Sequence, residues 1–399
     1  MKFTVRAAWG SGGGRVGVLQ LGSCSVETPA LLLNTRKGLP VFISPDLLSS
    51  LPTPDSYLLQ FSPLHFLEGI SMETISAMGG LHNVVGLKDH IFFALPRDSI
   101  TSLPDYQSSN KMGASFETPS GRRLMKPVQY MEMISSVKPN MWTTLADEVP
   151  AWVSEKRNRA SVDRTIRWLD DCIMSNLATL TGGACFGSIV GGSNVEERKR
   201  CAQEIAKRNV AGFCISGFGL GESLEERPAL LKAITVNLPE EKPRQICGLE
   251  LPEEVLQGVA AGIDLFDSTY IYHLTLGGFA LAFSSQNILR HGSVDQHTDY
   301  DSDGTKINLK ATIYRKDMSP ILENCNCYTC QNHTKAYLNH LFNVHEMLAQ
   351  ILLEIHNTHH YLGFFRSIRE AIKDGKFDHF RKTFVESRRN HIFAAALNS

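Results

Sequence analysis

The sequence predicts an α/β protein of alternating β and α units that ends in a cysteine-rich metal site. Three observations carry that prediction: short apolar runs alternate with amphipathic helical stretches, glycines follow several of those runs, and three cysteines fall within six residues. In chain order, Met1–Val5 opens like a strand and Val16–Leu21 alternates the same way, which reads as an N-terminal hairpin over about residues 1–25. Val41–Ile43, Met141–Leu145, Phe186–Val190, Gly212–Ile215 and Ile263–Phe266 read as buried parallel strands, with helices over Ser161–Leu177, Val195–Asn209 and Glu253–Ala261. Leu95–Gly121, rich in Pro, Ser, Asp and Asn, reads as a long loop, and Gly292 to about Asn324 as a second polar insertion leading into the cysteines. Gly191-Gly192 and Gly217-x-Gly219-x-Gly221 fall after strands. In a (β/α)8 barrel such strand ends form the active-site rim, although periodicity alone also allows a doubly wound sheet.

With 399 residues, 43% hydrophobic and 20% charged, the chain can bury one large core or two moderate ones. Its start lacks the charged and apolar regions of a signal peptide, and no apolar run reaches the length of a membrane span, so a cytosolic protein or one on an intracellular surface is expected. Of nine cysteines, six stand singly at Cys24, Cys172, Cys185, Cys201, Cys214 and Cys247, the usage of a reducing compartment in which lone thiols act as small buried hydrophobes. A net charge of −1 provides no whole-molecule attraction to nucleic acid, so any RNA contact has to be local. Two basic stretches offer one: Gly363–His391, with eight basic residues against four acidic, and Lys156, Arg157, Arg159, Arg164 and Arg167 on an expected helix. Each reads either as a solvated helix face or as a surface that tracks phosphates.

Several motifs have bland readings. Gly12-x-Gly14-x-x-Gly17 matches a dinucleotide fingerprint, but a strand rather than a helix follows it, so a hairpin turn is expected. Asp299-x-Asp301-x-Asp303-Gly304 imitates a calcium loop whose twelfth position is Lys310 instead of a glutamate, so it reads as a surface loop. Cys325-x-Cys327-x-x-Cys330 has the spacing of a closed tetrahedral zinc site, with the fourth ligand among the histidines that follow: His333, His340, His345, His356, His359 and His360. On a helix from roughly Lys335 to Tyr361, His345 and His356 lie eleven residues, about three turns, apart, and the pattern does not choose between them. Four protein ligands would leave no open position, which makes the metal structural. Asp267 ends an apolar strand, where a carboxylate serves as nucleophile, base or helix cap, and the chemistry alone favours the cap. Asp147-Glu148, after Met141–Ala146, poses the same choice.

Together these pieces resemble the tRNA-guanine transglycosylase family, on the side of its non-catalytic eukaryotic subunits. The resemblance runs from the N-terminus to about Phe365 and is strongest at Cys325-Asn326-Cys327-Tyr328-Thr329-Cys330 with Ile355-His356-Asn357, at Gly262–Asp267, and at Ile307–Lys310 with Tyr314-x-x-Asp317-x-x-Pro320. Gly79–His82, Asp147-Glu148, Val190–Gly192 and Gly217-x-Gly219-x-Gly221-Glu222 echo it more weakly. The resemblance implies a (β/α)8 barrel spanning residues 1–399, a zinc-binding subdomain inserted near its C-terminal end at about 305–360, and a basic helical segment at about 361–395. It also implies His356 as the fourth ligand of one structural Zn2+ per chain.

Catalytic members exchange guanine at the anticodon wobble position by attack of an aspartate on ribose C1′, and Asp267 falls on that position. The rest of the apparatus is absent. Ile271, Tyr272, His273 and Leu276 stand where the family places Pro-Thr-Arg and a further arginine. The second catalytic aspartate counts to Ala94, within His90–Pro96; Val190 replaces a glutamine, and Ser216-Gly217 a Gly-Gly pair. Uncharged side chains do not replace guanidinium contacts to phosphate. The implied function is a non-catalytic subunit in a heterodimer with the catalytic queuine tRNA-ribosyltransferase subunit, holding tRNA that has guanine at the wobble position. A homodimer, no integral membrane insertion, and residence in the cytoplasm or on the outer face of mitochondria accompany it. The competing readings are a self-sufficient transglycosylase using Asp267 and a zinc-stabilised scaffold.

Overall fold

The computed structural model describes residues 1–10, 13–175, 177, 182–283 and 305–397, with side chains to 388. The calcium-like run at 299–304 and the first part of the polar insertion before the cysteines, residues 292–304, lie outside the described residues. The chain divides into two compact units, one of residues 1–40 and 57–267, the other of residues 41–56 and 268–399.

In the first unit, β1 (Lys2–Ala8), β2 (Arg15–Leu21) and β3 (Cys24–Thr28) form an antiparallel sheet in order. The turn from Trp9 to Gly14 is closed by a 2.8 Å bond from the Trp9 N–H to the Gly14 carbonyl, a hairpin as the sequence indicates. A closed barrel of eight parallel strands follows: β4 (Ala30–Asn34), β5 (Leu58–Phe61), β6 (Ile91–Ala94), β10 (Met141–Thr143), β11 (Ala184–Ile189), β12 (Gly212–Ile215), β13 (Arg244–Ile246) and β14 (Leu265–Asp267). It closes where β14 pairs with β4, in the register Leu265 to Ala30 and Asp267 to Leu32.

Strands buried on both faces need continuous apolar sequence. Leu32, Leu58, Ile91, Phe93, Met141, Phe186 and Leu265 fill the interior together with Phe3, Leu19 and Val26 of the N-terminal sheet. A charge pair ties that sheet to the barrel. Arg15 donates to both Asp264 oxygens at 2.9 and 2.7 Å and to the carbonyls of Glu240 and Lys242, while Asp264 also accepts from the Arg244 N–H. Burial of an ion pair is tolerated when, as here, its remaining donors and acceptors are satisfied.

The helices between strands start where capping residues allow. Ser154 accepts from the Arg157 N–H at the head of Glu155–Met174, and Asn194 from the Glu197 N–H at the head of Val195–Ala206. Of the six lone cysteines, Cys172, Cys201, Cys214 and Cys247 are buried and Cys24 and Cys185 half-buried; none is in a disulfide, and burial pushes Cys172 up to about 12 and Cys201 up to about 11.

Two readings are corrected in these units. Val41–Ile43 is not a strand; Pro40 and Ser44-Pro45 bracket it, Val41 is exposed, and Phe42 stacks on Tyr272 at 6.1 Å. Ala30–Asn34 takes the strand position instead. Residues 95–121 are not a bare loop. They contribute to a three-stranded antiparallel sheet, β7 (Leu103–Pro104), β8 (Ala114–Thr118) and β9 (Gly121–Met125). Its polar residues are internal ligands: the Asp105 carboxylate accepts from Ser108 N–H and Ser115 Oγ and pairs with Arg122 at 2.7 Å.

The second unit holds the hairpin of β15 (Phe279–Leu281) and β16 (Lys306–Asn308) and the helices Thr269–Gly277, Tyr328–Asn332, Lys335–Asn343, Met347–Lys373 and Phe377–Leu397. The helix expected over Lys335–Tyr361 is broken at Val344–Glu346, where His345 takes a left-handed φ of 59°. That conformation closes helices by capturing their last carbonyls, as the Glu346 N–H does here with Leu341 at 3.0 Å.

Candidate metal centre and barrel mouth

The break in the helix separates the two histidines that the pattern left equivalent. His345 sits in the turn, whereas His356 lies inside Met347–Lys373, fully buried, with its ring aimed at the cysteines. Its Nδ1 is 3.9 Å from Cys325 Sγ, 3.5 Å from Cys327 Sγ and 3.3 Å from Cys330 Sγ, and all four donor atoms lie within 4.8 Å of one another. A zinc ion with Zn–S near 2.3 Å and Zn–N near 2.0–2.1 Å would set tetrahedral S···N edges of about 3.6 Å, so the donor set fits that metal.

The surroundings prepare the ligands. The His356 Nε2–H donates to the Leu281 carbonyl at 2.9 Å, which leaves the Nδ1 lone pair facing the sulfurs. Asn357 fixes the same strand from the next position, accepting from the Leu281 N–H at 2.8 Å and donating to the Phe279 carbonyl at 3.0 Å. The paired His-Asn therefore has a geometric reason: His356 joins the donor group, and both residues hold β15. Cys327 caps Tyr328–Asn332 and accepts the Cys330 N–H at 3.3 Å, a bond that favours thiolate. The sulfurs oppose one another: hydrogen bonds from Cys327 and Cys330 drive Cys325 down, while those to Cys325 and Cys330 push Cys327 up. Three thiols this close ionise together only around a cation. His333, His340, His345, His359 and His360 are outside the donor group.

The barrel mouth is arranged differently. Asp267 ends β14 at 1% exposure, and Ser268, not Asp267, is the N-cap of the following helix. Ala94 ends β6, fully buried. Three residues beyond it, Arg97 reaches across to Glu148, donating from Nε to Oε1 at 3.2 Å and from Nη2 to Oε2 at 3.1 Å, a parallel pair of bonds inside the protein. The Gly217 N–H donates to the same Oε2 at 3.2 Å. Burial disfavours charge on Arg97, but Glu148 beside it, with Cys247 and Asp267 nearby, raises its pKa overall. Burial also pushes Glu250 up to about 8, helped by the negative charges of Asp267 and Glu254.

The space that remains is about 20 Å³, bordered by Arg97, Glu148, Ser188, Cys214, Ser216 and Cys247. That is close to room for one water and far below the few hundred Å³ of an ordinary ligand pocket.

The adjoining loops are tied down. Arg198, fully buried, donates to the carbonyls of Gly192, Ser216 and Gly217 at 2.9, 2.6 and 2.8 Å and packs over Phe218 at 4.3 Å. Burial lowers its pKa to about 10. Gly191, whose Cβ would meet the Arg198 backbone at 2.6 Å, and Gly192 at a φ of 52° permit that approach. Asp147, the neighbour of Glu148, turns the other way. Its buried carboxylate holds Arg157 at 2.8 Å and Arg164 at 3.0 Å, and these arginines also donate to the Tyr106 and Ser109 carbonyls.

Arg97, Arg198 and Glu250 were not singled out from sequence. The one available signal was position, since Leu95-Pro96-Arg97 and Cys247–Glu250 directly follow strands that end at the rim. The basic stretches also look different in three dimensions. Arg366 and Arg369 both pair with Asp55 at 2.8 Å, and Arg157 and Arg164 belong to Asp147. Among the described residues, no helix is long and apolar enough to cross a membrane.

Comparison with known proteins agrees with this architecture. The family model described as Queuine tRNA-ribosyltransferase matches residues 11–390. Proteins named Queuine tRNA-ribosyltransferase accessory subunit 2 are similar along nearly their whole length. The chicken protein is 32% identical, covering 94% of this chain and 95% of its own length. The Xenopus tropicalis protein is 35% identical over 92% and 95%, and the human protein 33% over 89% and 91%. A closed parallel barrel, a Cys3His group supported by His-Asn, and similarity over almost the entire sequence lead to one conclusion: this chain belongs to the queuine tRNA-ribosyltransferase family, the tRNA-guanine transglycosylases.

Proposed function

We propose that this chain is the non-catalytic subunit of a heterodimeric tRNA-guanine transglycosylase, which exchanges guanine for queuine at the wobble position of tRNA. The observation that carries the proposal is the filled barrel mouth: Arg97 and Glu148 leave about 20 Å³ among Ser188, Cys214, Ser216 and Cys247, too little to admit a purine base. The accessory-subunit name of its relatives supports the same division of labour, with chemistry in the partner.

The partner's docking face in this reading surrounds the cysteine group. Ile313, Met318, Tyr328, Tyr337, Val344 and Met347 are 38–74% exposed there, a density of large apolar side chains typical of interaction surfaces. Cys325, Cys327, Cys330 and His356 hold one structural Zn2+, which fixes this face by binding helix and loop together. The metal region at about 305–360 and the basic helical segment at about 361–395 are parts of a single barrel-based protein. Phosphate contacts fall to Lys156, Arg159 and Arg167, exposed and without ion pairs among the described residues. Pairing between two copies of this chain, and peripheral attachment to the outer mitochondrial membrane, belong to the same proposal.

The test is reconstitution. Purified chain, catalytic paralogue and their mixture are assayed for exchange of labelled guanine in tRNA, with mass measurement of the species present. Activity in the mixture alone is expected. Exchange or a covalent RNA adduct on the isolated chain, lost in Asp267→Asn, would establish the self-sufficient enzyme instead. Unchanged queuosine in cells lacking the chain would leave only a scaffold.

A further inference from the structure

We propose that the free edge of β9 and the groove beside it bind an extended segment of another protein, which joins the sheet as a further strand. The segment is apolar at alternate positions and carries one acidic and one basic side chain. The site stands apart from the function proposed above, since every residue that borders it belongs to the first unit and none borders the space at the barrel mouth.

β9 is the outer strand in the order β7-β8-β9, and its ladder runs to β8. Among the described residues no backbone bond is made on its other side. A groove of about 920 Å³ is bordered by β9 and by the helices Met72–Ala77 and Pro127–Val137. Arg123, Leu124 and Met125 all border it. Side chains of a strand alternate between two faces, so three successive residues line one space where the strand presents its edge. The apolar lining includes Met125 and Met133, both nearly buried, and Leu67 and Leu124, which are 42% and 39% exposed. Flexible thioethers adapt to side chains of different shape. Charge normally blunts such an edge. Here Arg122 is turned onto Asp105 at 2.7 Å, which leaves Arg123 alone in that role.

The charges at the groove select the occupant. Arg123, Glu73 and Glu132 border it, are exposed, and form no ion pair among the described residues. An incoming strand complements them with a carboxylate beside Arg123 and a lysine or arginine beside Glu73 and Glu132, while its apolar residues rest on the methionines. A second copy of this chain is a poor fit, because two β9 strands paired antiparallel about their centre set Arg123 against Arg123. RNA fits no better, since both carboxylates repel phosphate. An extended polypeptide also answers the open backbone donors and acceptors of the edge, and main-chain bonds of this kind supply the affinity of strand addition.

The test uses full-length, metal-loaded chain and a set of capped peptides of about nine residues. They carry valine, isoleucine or leucine at alternate positions, with one lysine and one glutamate moved in turn through the remaining serines. Binding is read by fluorescence anisotropy and its place by amide hydrogen exchange. The tightest peptide is expected to slow exchange within Gly121–Met125. N-methylation of the alternate amides that face β9 should weaken it at least about tenfold, and N-methylation of the other set much less. The exposed pair Glu73→Lys with Glu132→Lys should weaken it about tenfold without altering the fold, and a peptide with its lysine changed to glutamate should recover the loss. If no peptide binds, the proposal is wrong. It is wrong as well if neither N-methylated set loses affinity, which would mean capture of side chains alone, or if the charge reversals have no effect. Self-association of the chain that Arg123→Glu abolishes would assign the edge to a second copy, and displacement of the peptide by tRNA would assign it to RNA; either overturns the proposal. Exchange of guanine by the mixed pair decides the function proposed above, whatever the peptides do.

Discussion

Two regions of this protein contain clustered ionisable groups, and they are organised in opposite ways. Around Cys325, Cys327, Cys330 and His356 the donors converge on a common centre at metal-ligand spacing, with a backbone carbonyl setting the histidine tautomer. At the barrel mouth Arg97 and Glu148 neutralise each other, burial and the nearby Asp267 push Glu250 toward its neutral form, and only about 20 Å³ remains beside the pair. The difference teaches where each region's partner comes from. A convergent set of like donors is complete only with an external cation. A set of opposite charges is already satisfied and has no further requirement for a ligand.

The comparison breaks most visibly if the metal region proves self-sufficient. Cys327→Ser or His356→Ala should release the metal and loosen the helices Tyr328–Asn332 and Met347–Lys373, at a cost that can approach the roughly 10–16 kcal/mol of structural zinc binding. Stoichiometric zinc by elemental analysis in either variant would refute the ligand assignment.

The next largest effect concerns the mouth. Glu148→Ala strands the buried Arg97 guanidinium and should lower stability by about 3–5 kcal/mol in denaturant unfolding of the metal-loaded chain. A loss below about 1 kcal/mol would mean that the pair is solvated and the mouth open.

Glu250 gives a smaller, pH-dependent effect. Its folded pKa of about 8 lies above the ordinary carboxyl value of 4.5, so the folded state binds the extra proton. Stability should therefore fall as pH rises from about 5 to about 8 and level off above that. Glu250→Gln should flatten this window and stabilise the protein at pH 8 by on the order of 1–3 kcal/mol. Thermal melts across the range check it, and an identical slope in the variant would remove Glu250 from the network.

Asp267→Ala should change exchange by the mixed pair by less than about twofold, since the mouth it serves is filled. A large loss with the heterodimer intact by mass would show that the second barrel takes part in chemistry. The smallest change is expected from Lys156→Gln with Arg159→Gln, which should weaken tRNA binding about two- to tenfold and reduce its salt dependence. An unaltered salt slope would move the RNA contact elsewhere on the surface.

Much of this was legible in the chain. The spacing Cys325-x-Cys327-x-x-Cys330 and the apolar runs at Met141, Phe186, Gly212 and Ile263 are local patterns set by the periods of helix and strand, and they could be read directly. Shorter strands such as Arg244–Ile246 were missed because three residues carry too little period to register. The folding of residues 95–121 was hidden because Asp105 and Ser115 find partners inside the protein rather than in water.

The sequence by itself therefore determined the βα alternation, the cysteine cluster and the carboxylate at the end of a strand, since each depends on neighbours a few residues away. Tertiary structure decided three matters that local pattern left open, the first of them already implied by the family resemblance: that His356 and not His345 meets the sulfurs, that β14 closes on β4, and that Arg97 meets Glu148 fifty-one residues on. Each of these joins residues far apart in the chain. Their meeting follows from strand register, barrel closure and a break in one helix, which no local period encodes.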